Sequence, residues 1–408
     1  MHDRPQYMKT LLEFKDKKVI KIVTGIRRSG KSTLLEMYVQ HLIESGIPKA
    51  NIIHMNFESF AHIDIKDYVT LYKYVKNHIQ SSGKSYLILD EVQLIDQWEK
   101  AINSFQVDFD VDIYITGSNA YLLSSELSTL LSGRYVEIKM LPLSFQEFLI
   151  FNSFESSASL DDKFKLYLQF GGMPAVSEYG FNQQRINDML EGVYSTVILK
   201  DVLVRHKVGD QALLQKIVAF LADNIGNIVS PNSIGNYLTH EGELKNEKGK
   251  KSPASRTVES YIDMLQKSFV FYGVKRYDIK GKQHLKTLGK QYIVDIGIRN
   301  MLLGYRDIDR GHILENVVYL ELLRQDYKVY IGKIGEKEID FIAEKPNDKK
   351  YVQVTETMLG KETRDRELAA LKEVPDNYEK IVLSMDKDFV TSYEGIKVKN
   401  IVDFLLGY

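Results

Sequence analysis

The residues Gly25-Ile26-Arg27-Arg28-Ser29-Gly30-Lys31-Ser32 fit the pattern G-x-x-x-x-G-K-[ST] in full. Glycines at those two places let the backbone curl until several N–H groups point at one spot. A helix starting directly afterwards adds its positive end to the same spot. Such a loop holds phosphate. A glycine-bearing turn can imitate the pattern, but here it stands between Val19–Thr24, rich in β-branched residues, and the amphipathic stretch Leu34–Ile43. Strand–loop–helix is the context the chemistry needs. Lys31 is then placed to reach the β- and γ-phosphates and Ser32 to ligate Mg²⁺. Gly25, Arg27, Arg28, Ser29, Gly30 and Thr33 complete the candidate nucleotide-binding set. The expected cofactors are ATP and Mg²⁺. Two arginines inside such a loop are unusual, and they can serve either the nucleotide or a partner's acid.

The flanking residues alternate strands and helices. Strands are expected at Asn51–Phe57, Ser85–Leu89, Val111–Ile115 and Arg134–Met140, and helices at Asp64–Gln80 and Gln97–Phe105. This order predicts an α/β fold with a parallel sheet covered on both faces, whose ligands bind at the carboxyl ends of the strands. The apolar strand Tyr86–Leu89 runs into Asp90 and Glu91. Asp90 is the candidate for holding Mg²⁺, and Glu91 the candidate base that polarises the attacking water. The second acid favours hydrolysis over transfer to another substrate. The next strand ends in Thr116-Gly117-Ser118-Asn119, where Asn119 or Ser118 can sense the γ-phosphate. Gly133-Arg134 opens the following strand, and an arginine there can stabilise charge on a neighbouring subunit's phosphate. Turn chemistry or a plain exposed arginine would explain the last two equally well.

Charge and composition narrow the field. Lys+Arg number 54 against Asp+Glu 55, so nucleic acid would need a local patch, not a global field. The chain has no cysteine, which excludes disulfides, thiolate metal sites and a cysteine nucleophile. The polar N-terminus Met1-His2-Asp3-Arg4-Pro5 has no apolar signal core. The apolar run Ser268–Val274 falls far short of the ~20 residues of a membrane span. A cytoplasmic protein without membrane contact is the expectation.

Beyond the sheet, Ser144–Lys216 reads as helical, punctuated by Gly171-Gly172-Met173-Pro174. Asn232–Leu238 and Ser255–Lys267 fit the two helices of a helix-turn-helix, with Phe269–Arg276 beginning a wing. Lys245, Lys248, Lys250, Lys251 and Arg256 form a local basic patch suited to DNA phosphates. Glu241, Glu243 and Glu247 dilute it, and a packing module with a solvated loop is the competing account. A helix at Leu314–Arg324, strands at Lys328–Ile331, Glu338–Ala343, Lys350–Thr355 and Lys380–Ser384, and a helix at Asp365–Lys372 read as a second, smaller α/β domain.

Several segments together resemble a known family. They are GIRRSGKST at Gly25–Thr33, LILDEVQ at Leu87–Gln93, TGSNA at Thr116–Ala120 and LSGRYVEIKMLPLSFQEF at Leu131–Phe148. Further on come GGMPAV at Gly171–Val176 and KQYIVDIG at Lys290–Gly297. In order and along essentially the whole chain, these are similar to prokaryotic AAA-type (AAA_14) ATPases with a C-terminal DUF4143 region. The resemblance implies an AAA+ core over 1–150, a helical connector over 151–216, a winged helix over 217–285 and a PD-(D/E)xK nuclease-like domain over 286–408. It also implies Asn119 as sensor and Arg134 as a trans-acting or sensing arginine.

Nucleases of that type need an acid on one strand and acid-x-lysine on the next, to hold Mg²⁺ and orient water. Glu315 on the leading helix and Asp340 within Glu338-Ile339-Asp340 supply acids, but Gln353 and Thr355 stand where acid and lysine belong. A degenerate site follows, unless Lys350 or Lys361 migrates in. The expectation is a homo-oligomeric ATPase acting on DNA, with branched or structured DNA as one candidate form. The alternatives are a nucleotide switch that binds protein partners and, third, an ATP-gated nuclease.

Overall fold

A computed structural model describes residues 2–80, 82–118, 131, 133–204, 208–240, 253–281, 283–306, 309–387 and 390–408. The chain divides into two compact units, Met1–Leu141 with Lys267–Phe269, and Pro142–Gln266 with Val270–Tyr408.

The first unit contains α1 (Pro5–Glu13), β1 (Ile20–Thr24), α2 (Lys31–Glu44), β2 (Ile52–Asn56), α3 (Tyr68–His78), β3 (Ser85–Asp90), α4 (Trp98–Asp108), β4 (Val111–Gly117) and β5 (Tyr135–Lys139). The five strands form one parallel sheet in the order β2-β3-β4-β1-β5. β1 and β3 are buried throughout, which explains the apolar run Tyr86–Leu89 of β3 and the β-branched residues of β1 on either side of Lys21. Period-two alternation sorts their side chains between two cores. Ile22, Leu87, Leu89, Ile113 and Ile115 pack with α3 and α4 residues such as Leu71, Val75, Ile102 and Phe105. Val23, Tyr86, Ile88 and Tyr114 face the other way, with Leu11 of α1 and Leu34, Leu35 and Tyr38 of α2. Lys21 is fully buried on this second face, ion-paired with Asp112. Burial lowers the Lys21 pKa, and the Asp112 carboxylate works against that shift.

Local signals set the element ends. Asp67 accepts from the N–H groups of Val69 and Thr70, and Thr70 completes a capping box, so α3 starts later than the apolar pattern alone suggests. α1, with proline in its first turn, was not expected from the pattern.

In the second unit α5 (Phe145–Phe151), α6 (Leu160–Phe170), α7 (Gln183–Thr196) and α8 (Gln211–Asp223) precede β6 (Ile228–Val229), α9 (Pro231–His240) and α10 (Ser255–Lys267). Then come β7 (Phe271–Asp278), β8 (Gln283–Ile293), α11 (Ile296–Leu303), α12 (Arg310–Arg324), β9 (Lys328–Ile334), β10 (Lys337–Lys345) and β11 (Asp348–Val354). α13 (Lys361–Lys372), β12 (Glu379–Ser384), β13 (Ser392–Tyr393), β14 (Ile396–Asn400) and α14 (Ile401–Leu405) end the unit. One nine-stranded mixed sheet runs β13-β14-β12-β11-β10-β9-β7-β8-β6. β7, which overlaps the Phe269–Arg276 stretch expected to begin a wing, pairs with β8 in a hairpin that shares a sheet with the C-terminal strands, through three residue pairs between β7 and β9.

The two glycine-bearing motifs of this unit meet. Gly171 has φ +76°, and a Cβ on it would lie 2.3 Å from the Asp295 carboxylate. Asp295 caps α11 by accepting from the Ile298 N–H at 3.1 Å, and also accepts from the Gly172 N–H at 2.7 Å. Burial pushes its carboxyl up to about 6, although those N–H groups favour the ionised form. A Cβ on Gly297 would sit 2.1 Å from the Phe170 carbonyl oxygen. Backbone lies on both sides of that contact, so a methyl group can be admitted only by moving a helix. Gly297→Ala should destabilise the second unit by about 2–3 kcal/mol, read as a lower urea midpoint. Gly311→Ala, with nothing within 4 Å, should leave that midpoint unchanged or raised.

Candidate functional site

The phosphate loop joins β1 to α2. Arg28 and Gly30 both take positive φ, +61° and +100°, and Gly30 is the N-cap of α2. Gly25 is required for a second reason. A Cβ there would lie 2.1 Å from the Met140 carbonyl oxygen, just past β5. The buried Lys31 ammonium donates to the carbonyls of Gly25 at 2.9 Å and Ile26 at 3.1 Å, and lies 3.9 Å from Glu91. Arg27 pairs with Glu58 at 2.8 Å, which supplies an acid from the same chain for one of the two unusual arginines. Arg28 is exposed. Ser32 and Thr33 open α2 and are half-buried.

β4 lies between β1 and β3, so its end faces both the loop and the acids. Thr116 donates its hydroxyl to Asp90 and accepts the Glu91 N–H at 2.9 Å. Asn56, at the end of β2, donates to the other Asp90 oxygen at 3.0 Å. Glu91 takes φ +55°, a conformation that costs an ordinary residue about 1–3 kcal/mol and marks functional turns. Ser118 donates to Glu91 at 3.2 Å, and the Gln93 amide donates to the same oxygen. Asp90 and Glu91 are both buried. The residues fit a nucleotide and its metal. The Ser29 hydroxyl is buried in the loop with no hydrogen-bond partner, and the donor set of Ser32 hydroxyl and Asp90 carboxylate suits a hard divalent cation.

The structure thus brings together the loop, Asp90, Glu91 and Ser118. Asn119 lies outside the described residues. Arg134 is exposed and directly precedes β5, whose Tyr135 pairs with Ile20 at the start of β1. That is the opposite edge of the sheet, about 16 Å from the loop end at five residues of rise. Sequence reading missed Thr116 and Asn56 as supports of the acids. Thr116 stood inside the quoted TGSN run, but its partner across the sheet depends on strand order.

In the second unit, Lys248, Lys250 and Lys251 lie outside the described residues. Arg256 is exposed at the start of α10. The rest of that exposed face carries Ser255, Glu259, Ser260 and Asp263, so it is not a basic face.

Glu315, Asp340 and Gln353 do come together. Gln353 accepts from the Asp340 N–H at 3.3 Å and donates to Glu367 at 2.9 Å, while Asp340 accepts from the Val354 N–H at 2.8 Å. Thr355 stands apart, its hydroxyl turned to the Thr357 carbonyl. The cation comes from neither Lys361 nor Lys350, which pairs with Asp348 and Glu379. It comes from Lys290 on β8, 2.8 Å from Glu315, 2.8 Å from Glu338 and 3.6 Å from Asp340. Tyr292 donates to the same Glu315 oxygen at 2.5 Å. α12 makes the meeting possible, because Asn316 binds both the N–H and the carbonyl of Ile293 and docks the helix on β8. Burial and the neighbouring Glu315 push the Asp340 carboxyl up to about 8. Burial lowers the Lys290 pKa, but the carboxylates outweigh it and the net shift is upward. Among the described residues no group of three or more His, Asp and Glu side chains is arranged to hold a metal ion.

Residues 17–149 match the family model of an AAA domain, AAA_14. Residues 161–309 match a domain of unknown function, DUF8612, where the resemblance had implied a DUF4143 region. An uncharacterised protein of Haemophilus influenzae is 41% identical over 408 residues, covering 100% of this chain and 99% of its own. An uncharacterised protein of Methanocaldococcus jannaschii is 27% identical, over 91% of this chain and 80% of its own. The Walker-type ATPase PABY2304 of Pyrococcus abyssi superposes with a TM-score of 0.51 at 15% identity, over 74% of this chain and 96% of its own. That likeness is one of fold. Among the described residues no helix is long and apolar enough to cross a membrane.

The buried charge cluster yields a prediction whose sign follows from proton binding. A carboxyl with a raised folded pKa keeps its proton where the unfolded chain has released it, so it costs stability as pH rises from about 4 to about 8. Lys290→Ala removes the counter-charge and enlarges that cost. The variant should lose about 3–5 kcal/mol at neutral pH, and urea melts should show a smaller loss near pH 5 than near pH 8.

Proposed function

The chain belongs to one family with the Haemophilus influenzae protein and carries an AAA-type P-loop ATPase domain, and from that premise we propose that it is a Mg²⁺-dependent ATP hydrolase. The observation that carries the reading is the Thr116 bridge, which ties Asp90 to the Glu91 backbone, with the Glu91 carboxylate 3.9 Å from Lys31. In this reading the loop N–H groups and Lys31 bind the phosphates. Ser32 and Asp90 hold Mg²⁺, which when bound neutralises charge on the β- and γ-oxygens. Glu91 takes a proton from water as the water oxygen bonds to the γ-phosphorus and ADP leaves. Ser118 and Gln93 keep the Glu91 carboxylate turned toward that water. Arg134 stands too far from its own loop to act there, so it serves the site of a neighbour in a homo-oligomer.

The substrate reading is DNA. Its support is the order helix–strand–helix–helix–strand–strand from α8 to β8, with β6 and β7 flanking β8, as in a winged helix. The acids Glu259 and Asp263 beside Arg256 favour a second reading, a nucleotide switch for protein partners. Lys290 supplies the cation that Thr355 cannot, but its ion pairs occupy Glu315, Glu338 and Asp340, the acids a divalent cation would need, and this favours a domain that does not cut.

Glu91→Gln should lower the hydrolysis rate by about 10²–10⁴-fold while ATP binding persists, measured by phosphate release and nucleotide titration. Arg134→Ala should abolish the rise of specific activity with protein concentration. Stimulation by one of single-stranded, duplex or four-way-junction DNA at fixed salt would support the DNA reading. Indifference to all three, with no binding, would favour the switch.

A further inference from the structure

α1 and α2 pack through Tyr7, Leu11, Leu34, Leu35, Tyr38 and Leu42. Outside that line they leave a trough of about 930 Å³. Its apolar surface comes from half-buried Met8 and Leu12 of α1 and Met37 of α2. Methionine is suited to such surfaces because its unbranched side chain reshapes around what it meets. The rim is acidic. Asp3, Glu13, Glu36 and Glu44 face a single lysine, Lys9, itself 3.8 Å from Glu13. An apolar channel between two helices is the shape that takes a third, and the four carboxylates select a cationic one.

The trough is wired to the phosphate loop. Arg4 is the N-cap of α1, the helix that carries Met8 and Leu12 into the trough. Arg4 is 5% exposed, lies over the Tyr7 ring, and donates to the carbonyls of Ser29 at 3.1 Å and Leu141 at 2.9 Å. Tyr7 accepts the Leu141 N–H at 3.2 Å. Leu141 follows Met140, whose carbonyl abuts Gly25. The first turn of α1 therefore grips both ends of the loop's frame, and a ligand that shifts α1 shifts the Ser29 carbonyl.

We propose that the α1–α2 trough docks a basic amphipathic helix of a partner protein, and that docking changes nucleotide affinity through Arg4. The second half rests on nucleotide binding alone, not on hydrolysis, so its failure is distinguishable from failure of the ATPase reading.

The test uses the full chain and two labelled helical peptides, one of Leu and Lys and one of Leu and Glu at the same spacing, followed by anisotropy. The Leu/Lys peptide should bind at least tenfold more tightly. Glu36→Lys/Glu44→Lys and, separately, Met37→Lys should each weaken it tenfold or more while binding a fluorescent ATP analogue normally, which shows them folded. Saturating peptide should change the affinity for that analogue severalfold, and the analogue should change peptide affinity by the same factor. Arg4→Lys, or Tyr7→Phe if that variant does not fold, should keep peptide binding and lose the coupling. Equal binding of both peptides, or undiminished binding by the trough variants, overturns the docking site. Loss of self-association in Met37→Lys would give the trough to a second copy and also overturns it. Peptide binding that leaves nucleotide affinity unmoved overturns the coupling.

Discussion

The Thr116 hydroxyl holds the nucleotide edge together. It donates a hydrogen bond to the Asp90 carboxylate and accepts one from the backbone N–H of Glu91, so one oxygen ties down two consecutive acidic residues. The second contact also stabilises a backbone turn at Glu91 that an ordinary residue resists. All of this depends on β4 being the neighbour of β3, with Leu89 opposite Ile115. Because β1 borders β4 on the other side, the phosphate loop opens onto the same edge. The site is thus a consequence of strand order, and strand order is held by two apolar faces that alternate along the central strands.

The second unit solves a different problem, which is the burial of charge. Lys290, Glu315, Glu338 and Asp340 come from two strands and a helix that are distant in sequence. Lys290, Glu315 or Asp340 alone would be costly to bury; together the cost is smaller, but one ammonium against three carboxylates leaves the Asp340 carboxyl pushed up to about 8. Tyr292 and Asn316 lock α12 to β8 and keep the charges in contact. The glycine motifs of this unit do related work. Gly171, Gly172 and Gly297 let two backbones approach until Asp295 can bind across the gap. Motifs that carried the family likeness are here a packing requirement.

Much of the first unit was legible because its signals are local. The phosphate loop is eight consecutive residues, and the strands announce themselves as buried runs. The acids follow directly on such a run. The second unit was less legible because its chemistry is assembled across the sheet. A search for a lysine two residues beyond Gln353 finds Thr355, whose hydroxyl turns away. The lysine sits on β8, inside a motif quoted for likeness and not for charge. α1 escaped notice for a similar reason. Its two buried side chains, Tyr7 and Leu11, are too few to make a pattern until α2 supplies the other half of the core.

The sequence by itself determined that Gly25–Ser32 forms a strand–loop–helix turn of the phosphate-loop pattern and that Asp90 and Glu91 stand at a strand end, since backbone curl and strand direction are properties of neighbouring residues. Only the tertiary structure decided what supports those acids, where Arg134 stands, and which cation meets Glu315 and Asp340. Those answers depend on which strands pair and how a helix docks, and pairing is chosen by the burial of whole faces, which no short stretch of residues encodes.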